Sequence, residues 1–470
     1  MSIIAPNPDT NNNRFDPVAE PFLQREGLPF AEVLDAKSIR EAFLRRDALF
    51  AQEDIFSTEI VLWTFLAQVL RDGKGAACAS AVADIATYMQ QTGGPVPSGD
   101  TGDYCRGRAK LNLSVLRQLV RDSARQLEAK ADPSWLWRGL HVKLVDGFTF
   151  TMPDTVANQQ MFPQPDSQRP GVGFPIARAC GVLSLATGAV CDLAVGAYQG
   201  KQTGETALLR TILDGFRPGE VVVFDRYYCS FMMLALLQAH GLHVCARLHQ
   251  GRHSDLCRIR QLESGDWLVR WTRPARPAWM SEELYATIPE TLTLRQLEYD
   301  VHEPDCRSET ITVVTTLADP AAYPAEAIGE LYGLRWNAEL DIRQIKQTLH
   351  LDHLRCKSPE MILRELWVTL LAYNLVRKVI ATAAATHDKA PRRLGFTLAC
   401  QTILSSWMLL STNCCRDAAA QWRCTLEQIA ANEVANRPGR VEPRVLKRRR
   451  HRYPLMNRPR NELRRQCRRT

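Results

Sequence analysis

The stretch GEVVVFDRYY (219–228) decides the fold. Three valines and a phenylalanine in succession, bounded by Gly219 and ending at Asp225, read as a strand rich in β-branched residues. HVKLVDGFTFTMPD (141–154) has the same character, with Asp146 where the first apolar run ends. ACGVLSLATGAVCDLAVGAY (179–198) and LHVCARLH (242–249) also read as strands. Between them GETALLRTILDGF (204–216) and SFMMLALLQAHG (230–241) carry helical periodicity. Strands alternating with helices imply an α/β layer structure.

Outward from this centre the pattern changes on both sides. Residues 1–35 are polar and Pro-rich, an irregular leader. From about 38 to 132 the periodicity is helical, and Ser57 suits an N-cap before EIVLWTFLAQVL (59–70). RAKLNLSVLRQLVRDSARQLEAK (108–130) follows a Gly- and Pro-rich break. Beyond 250, DWLVRWT (266–272), ATIPETLTLRQLEYDV (286–301) and ETITVVTTL (309–317) alternate without a convincing helix, which predicts a β-rich insertion. Helices are expected again over 325–350, 358–385 and 392–435.

The charge distribution is uneven. The 470 residues carry a formal net charge of +8, yet residues 437–470 hold fourteen Lys or Arg against two Glu. The rest of the chain is slightly acidic, so the excess positive charge is a C-terminal tail, read either as a solvated disordered tail or as a phosphate-binding arm. The fourteen cysteines include no C-x-x-C, which argues against a thiolate zinc site or a disulfide framework. The N-terminus has no basic region followed by an apolar run, and Leu366–Val376 is too short an apolar stretch to span a bilayer. A cytoplasmic protein without a membrane partner is expected.

Asp146 and Asp225 stand at the ends of apolar strand patterns, where ligands of open α/β sheets bind. Two carboxylates from neighbouring strands suit a hard cation. The alternative use of a strand-terminal Asp is to cap the following turn. A third acid lies in LYGLRWNAELDIRQIKQTL (331–349). On a continuous helix Tyr332, Arg335, Trp336, Glu339, Arg343 and Lys346 share a band roughly 100° wide and about 21 Å long. Leu331, Leu334, Ile342, Ile345 and Leu349 form a separate apolar stripe. One reading is an ordinary amphipathic helix with a solvated charged side; the other is a phosphodiester site, for which Glu339 supplies a carboxylate, Arg335 and Lys346 phosphate contacts, and the aromatics a stacking surface for an unpaired base. Arg226 and Tyr227 either touch nucleic acid or fix the loop after Asp225, and Lys357 is a further phosphate-contact candidate. Asp154 and Asn158 fit turn capping. Glu205, at a helix start, is explained by the macrodipole.

The spacing Tyr332-x2-Arg335-x3-Glu339-x6-Lys346 resembles the Tyr-Arg-Glu-Lys signature of bacterial insertion-sequence transposases of the IS-four family. VDGFTFTMPDTVANQQMF (145–162) and VVVFDRYY (221–228) resemble its two aspartate blocks. CKSPEMILRELWVTLLAYNLVRKVI (356–380) and KRRRHRYP (447–454) resemble its downstream helix and basic tail. The likeness covers about 50–460. It implies a ribonuclease-H-like catalytic core at 138–250 and 323–390, interrupted by a β-rich insertion at 251–322. A helical N-terminal DNA-binding domain at 36–137 would precede the core, with a helical segment at 391–436 and the basic tail at 437–470 after it. The implied activity is a DDE transposase acting on terminal inverted repeats and target DNA. Asp146, Asp225 and Glu339 would hold two Mg²⁺ or Mn²⁺ ions, and a homodimer would assemble on DNA. Tyr332 and Trp336, with Trp267, Trp271 or Trp279 of the insertion, are candidates for holding a flipped base. The rival readings are a ribonuclease-H-like nuclease or resolvase without strand transfer, and an inactive DNA-binding derivative.

Overall fold

The computed structural model describes residues 34, 36–51, 54–92, 94–249, 251, 258–301, 309–411, 418–435, 456 and 458–467. The leader, all but one residue of it, and most of the basic tail lie outside the described residues. Helices α1 (Ala36–Leu44), α2 (Thr58–Val69), α3 (Cys78–Thr92), α4 (Gly102–Lys110) and α5 (Leu113–Ala129) come first. Strand β1 (Val142–Thr151), helix α6 (Val156–Met161), the hairpin β2 (Ile176–Ser184) and β3 (Val190–Ala197), and helix α7 (Glu205–Arg210) follow. Next are β4 (Val221–Phe224), α8 (Phe231–Ala239) and β5 (His243–Arg247).

All strands join one nine-stranded sheet in the order β3-β2-β1-β4-β5-β9-β8-β7-β6. β1, β4 and β5 are parallel at its centre, and β2 and β3 extend it antiparallel. Every residue of β4 is buried, because both sheet faces are covered. Alternation sends Val221 and Val223 to one core, with α5 and the later helices, and Val222 and Phe224 to another beneath α7 and α8.

The stretch from 251 to 322 is β-rich and continues this same sheet. β6 (Arg258–Glu263), β7 (Asp266–Thr272), β8 (Thr291–Val301) and β9 (Glu309–Thr315) add antiparallel strands beyond β5. It also contains a helix that periodicity missed, α9 (Glu282–Thr287), whose N-cap Ser281 accepts from the Leu284 amide. Arg295, fully buried on β8, grips Asp266 through Nε at 3.0 Å and Nη2 at 2.5 Å, and donates to the Tyr323 carbonyl. That pairing ties the added strands to the segment entering the next helix.

The C-terminal half contributes α10 (Ala325–Gly333), α11 (Trp336–Arg343), α12 (Pro359–Thr386), α13 (Phe396–Ser411), α14 (Ala418–Ala431) and α15 (Arg460–Cys467). α12 is apolar on nearly all sides and long enough to cross a membrane, but 83% of its apolar window is buried inside the protein. It packs on α5, which also lies across β3. Asp192 on β3, almost wholly buried, is gripped by Arg117 and Arg121 of α5. Helices and strands therefore separate near residue 137 in sequence but share one core in space. Ser57 occupies the N-cap of α2, yet its side chain makes no capping hydrogen bond.

Candidate active site

The parallel register brings the two aspartates together. Val142 pairs with Val221 and Leu144 with Val223, so the same register carried along both strands sets Asp146 beside Asp225. Asp146 is not at a strand end, where the apolar pattern puts it. β1 continues to Thr151 because it keeps β2 as a partner, where Asp146 pairs with Gly181. β4 stops at Phe224, and Asp225 begins a tight loop in which the Tyr227 amide donates to its Oδ1 at 2.8 Å. Backbone Tyr227 thus fixes the carboxylate, while its side chain and that of Arg226 are exposed.

The signature segment is not one straight helix. α10 ends at Gly333, and tight turns follow, with Arg335 N–H donating to the Tyr332 carbonyl and Asn337 N–H to that of Leu334. α11 then runs to Arg343, and Gln344–Thr348 forms a π-helical turn closed by the Leu349 amide on the Gln344 carbonyl. The break leaves Leu334 exposed, off the apolar stripe assigned to it, while Leu331, Ile342, Ile345 and Leu349 are buried as expected.

Glu339 reaches Asp146 through Arg335. The Arg335 Nη2 donates to Glu339 Oε1 at 3.1 Å, and its Nη1 lies 3.9 Å from Asp146 Oδ2. Burial pushes Asp146 up to about 6; Arg335 and the Gly147 amide oppose that rise, and the charges of Glu339 and Asp225 add to it. Tyr332, half-buried, senses both Arg335 and Asp225, and burial raises its phenol. Lys346 donates to the Thr149 carbonyl at 3.0 Å, further along β1 from Asp146, and pairs with Asp352 at 3.3 Å. Trp336 and Lys357 are exposed. Among the described residues no three His, Cys, Asp or Glu side chains already close around one point. The donors gathered here are nonetheless all carboxylate oxygens, the chemistry that Mg²⁺ and Mn²⁺ prefer.

Burial separates the tryptophans of the stretch from 251 to 322. Trp271 is 2% exposed in the core beneath the sheet and has no face to offer a base. Trp267 and Trp279 are half-buried, with Arg258 and Arg210 over their rings at 4.4 and 3.8 Å. Capping in the block after β1 falls to Thr155, whose hydroxyl accepts from the Asn158 amide, while Asp154 accepts from Gln159.

Sequence reasoning explained Glu205 by the helix macrodipole alone. It opens α7, but its carboxylate lies against Gly147, where any Cβ would collide with it. The Tyr228 hydroxyl donates to its Oε2 at 3.3 Å. The legible signal was the glycine directly after Asp146.

The sequence profile of the transposase DDE domain matches residues 137–375, half of the chain. The chain belongs to the DDE transposases, and it is an enzyme of that class. It is 27% identical over 363 residues to the transposase InsG for insertion sequence element IS4 of Escherichia coli K12, covering 74% of this chain and 77% of that protein. Its place is therefore among the transposases of the IS4 kind. A shorter match, 35% over 85 residues, joins it to the putative transposase InsL for element IS186A of the same organism, over 18% of this chain and 22% of that one. Among solved structures the piggyBac transposase synaptic complex with hairpin DNA aligns with 90% of this chain and 86% of its own, at 10% identity and a TM-score of 0.43.

Proposed function

We propose that this transposase cuts and joins DNA phosphodiester bonds at a ribonuclease-H-like centre formed by Asp146, Asp225 and Glu339. The observation that carries the reading is the register of β1 on β4, which aligns the two aspartates, with Arg335 linking Asp146 to Glu339. The strand order β3-β2-β1-β4-β5 around a parallel centre supports the core assignment.

The three carboxylates would hold two divalent ions, Mg²⁺ or Mn²⁺. Such ions activate an attacking oxygen and stabilise the leaving one in an in-line displacement. Asp225 is held in orientation by the Tyr227 amide, and Glu339 by Arg335. Arg335 and Lys346 bring positive charge to the scissile phosphate, and exposed Arg226 and Lys357 extend that charge along the backbone. Tyr332 and Trp336 border the acids, with exposed Trp336 offering a face for an unpaired base. The domain roles follow: helices of 36–137 read the terminal inverted repeats, the core at 138–250 and 323–390 carries the chemistry, and 251–322 supports it. The segment 391–436 is a dimerisation surface for a homodimer on DNA, and the tail at 437–470 is a phosphate-binding arm, in the cytoplasm.

The test is cleavage of a labelled duplex bearing the element's own terminal repeat in Mg²⁺. Wild type should nick at the repeat boundary, and Asp225→Ala or Glu339→Ala should lose cleavage while still binding the duplex. Retained cleavage by Asp225→Ala sinks the assignment.

A further inference from the structure

Gly147 has ordinary strand geometry, so its backbone does not require glycine. What requires it is space, because the Glu205 carboxylate occupies the position a side chain would take. Glu205 is thereby laid against the backbone immediately after Asp146. Its hydrogen-bond donor, Tyr228, sits in the loop that Asp225 begins, and Gly204 lies under the Tyr227 hydroxyl. One carboxylate thus touches both segments that carry the aspartates.

Two bland explanations fall short. A helix-start acid is served equally well when solvated, yet Glu205 is half-buried and points to the sheet. Nor is it a structural ion-pair partner. Arg178 of β2 is near enough for its charge to act on Glu205, but it spends a hydrogen bond on the Thr203 carbonyl and stacks on Tyr198. Among the described residues Glu205 forms no salt bridge, and its hydrogen-bond donor is a neutral hydroxyl. A half-buried carboxylate without a paired cation is costly to keep.

We infer that Glu205 is a fourth carboxylate of the cation site, a ligand for a divalent ion alongside Asp146 and Asp225. The inference rests on the proposed use of those aspartates as metal ligands, and the experiment separates the two.

Full-length protein stripped with chelator is titrated with Mn²⁺ by calorimetry, comparing wild type, Glu205→Gln and Asp225→Asn. Glu205→Gln keeps the size of the side chain and an oxygen for Tyr228. It should bind Mn²⁺ about tenfold more weakly, or lose one of two sites, with an unchanged melting curve. Wild-type Mn²⁺ affinity in Glu205→Gln, with loss in Asp225→Asn, overturns the inference and leaves the three-carboxylate site standing. Wild-type affinity in Asp225→Asn overturns the site reading itself. Should Glu205→Gln melt early, Glu205→Asp retains the charge but withdraws its oxygens from Gly147. Weakened Mn²⁺ binding in a normally melting Glu205→Asp supports the ligand role, and unchanged binding overturns it.

Discussion

Two acids on one short helix, Glu339 and Asp341, meet opposite fates. Asp341 is wholly buried and saturated: Arg377 Nη2 donates to Oδ1 at 2.5 Å, and Arg392 Nη2 to Oδ2 at 2.8 Å. Arg377 is itself held by the Tyr373 hydroxyl and Gln344, and its guanidinium packs on Gly188, whose φ of +76° suits glycine. Arg392 continues to the Ser184 carbonyl. This network clamps α11 to α12 and to the β2–β3 turn. Glu339 retains 37% side-chain exposure and shares a single guanidinium with Asp146. Where charge serves structure it is fully paired; where Asp146, Asp225 and Glu339 gather, negative charge exceeds the cations supplied. An excess of that kind fits a site completed by positive charge from outside the chain.

The comparison breaks most severely at the clamp. Asp341→Ala leaves buried Arg377 and partly buried Arg392 without their shared counter-charge and should cost about 3–5 kcal/mol of stability, read by denaturant unfolding. A loss under about 1 kcal/mol would mean that the pairing adds little beyond packing.

The opposite sign is expected at the site. Folded Asp146 keeps its proton up to about pH 6, against an ordinary 3.8, so the folded chain binds more protons between those values. Stability therefore falls as pH rises through that window, and the cost is complete above it. In chelator, Asp146→Asn should raise unfolding stability by roughly 2–3 kcal/mol at pH 8 and by nothing measurable near pH 3.5. Destabilisation at pH 8 would show that the carboxylate is satisfied after all.

Arg335→Lys should sharpen the contrast without unfolding the protein. A lysine keeps the charge but cannot bridge Glu339 and Asp146 with a planar fork. Cleavage should fall more than duplex binding, measured in parallel on the terminal-repeat substrate. Equal losses in both would make Arg335 a general DNA contact. The smallest effect belongs to exposed Lys357, whose alanine variant should weaken binding to any duplex alike and lower the salt slope by about 0.9. A change confined to one sequence would argue for base reading instead.

The sequence by itself determined the element types at the centre, the two strand aspartates and the Tyr332–Lys346 spacing. Those are local properties: β-branched runs, apolar periodicity and residue order survive without knowing what packs where. Tertiary structure decided what local pattern cannot encode. β1 outruns Asp146 because β2 continues to pair with it, and the strands between 251 and 322 join the main sheet because β9 pairs with β5. The signature segment breaks at Leu334 and takes a π turn at Gln344, so a wheel drawn at one constant angle misplaces Leu334. Trp271 was indistinguishable from Trp267 and Trp279 until burial separated them. Glu205 looked like a helix-start acid because its meaning depends on Gly147, distant in the chain and in contact in space. Contact between distant residues is set by packing, and a periodicity measured along the chain contains no term for it.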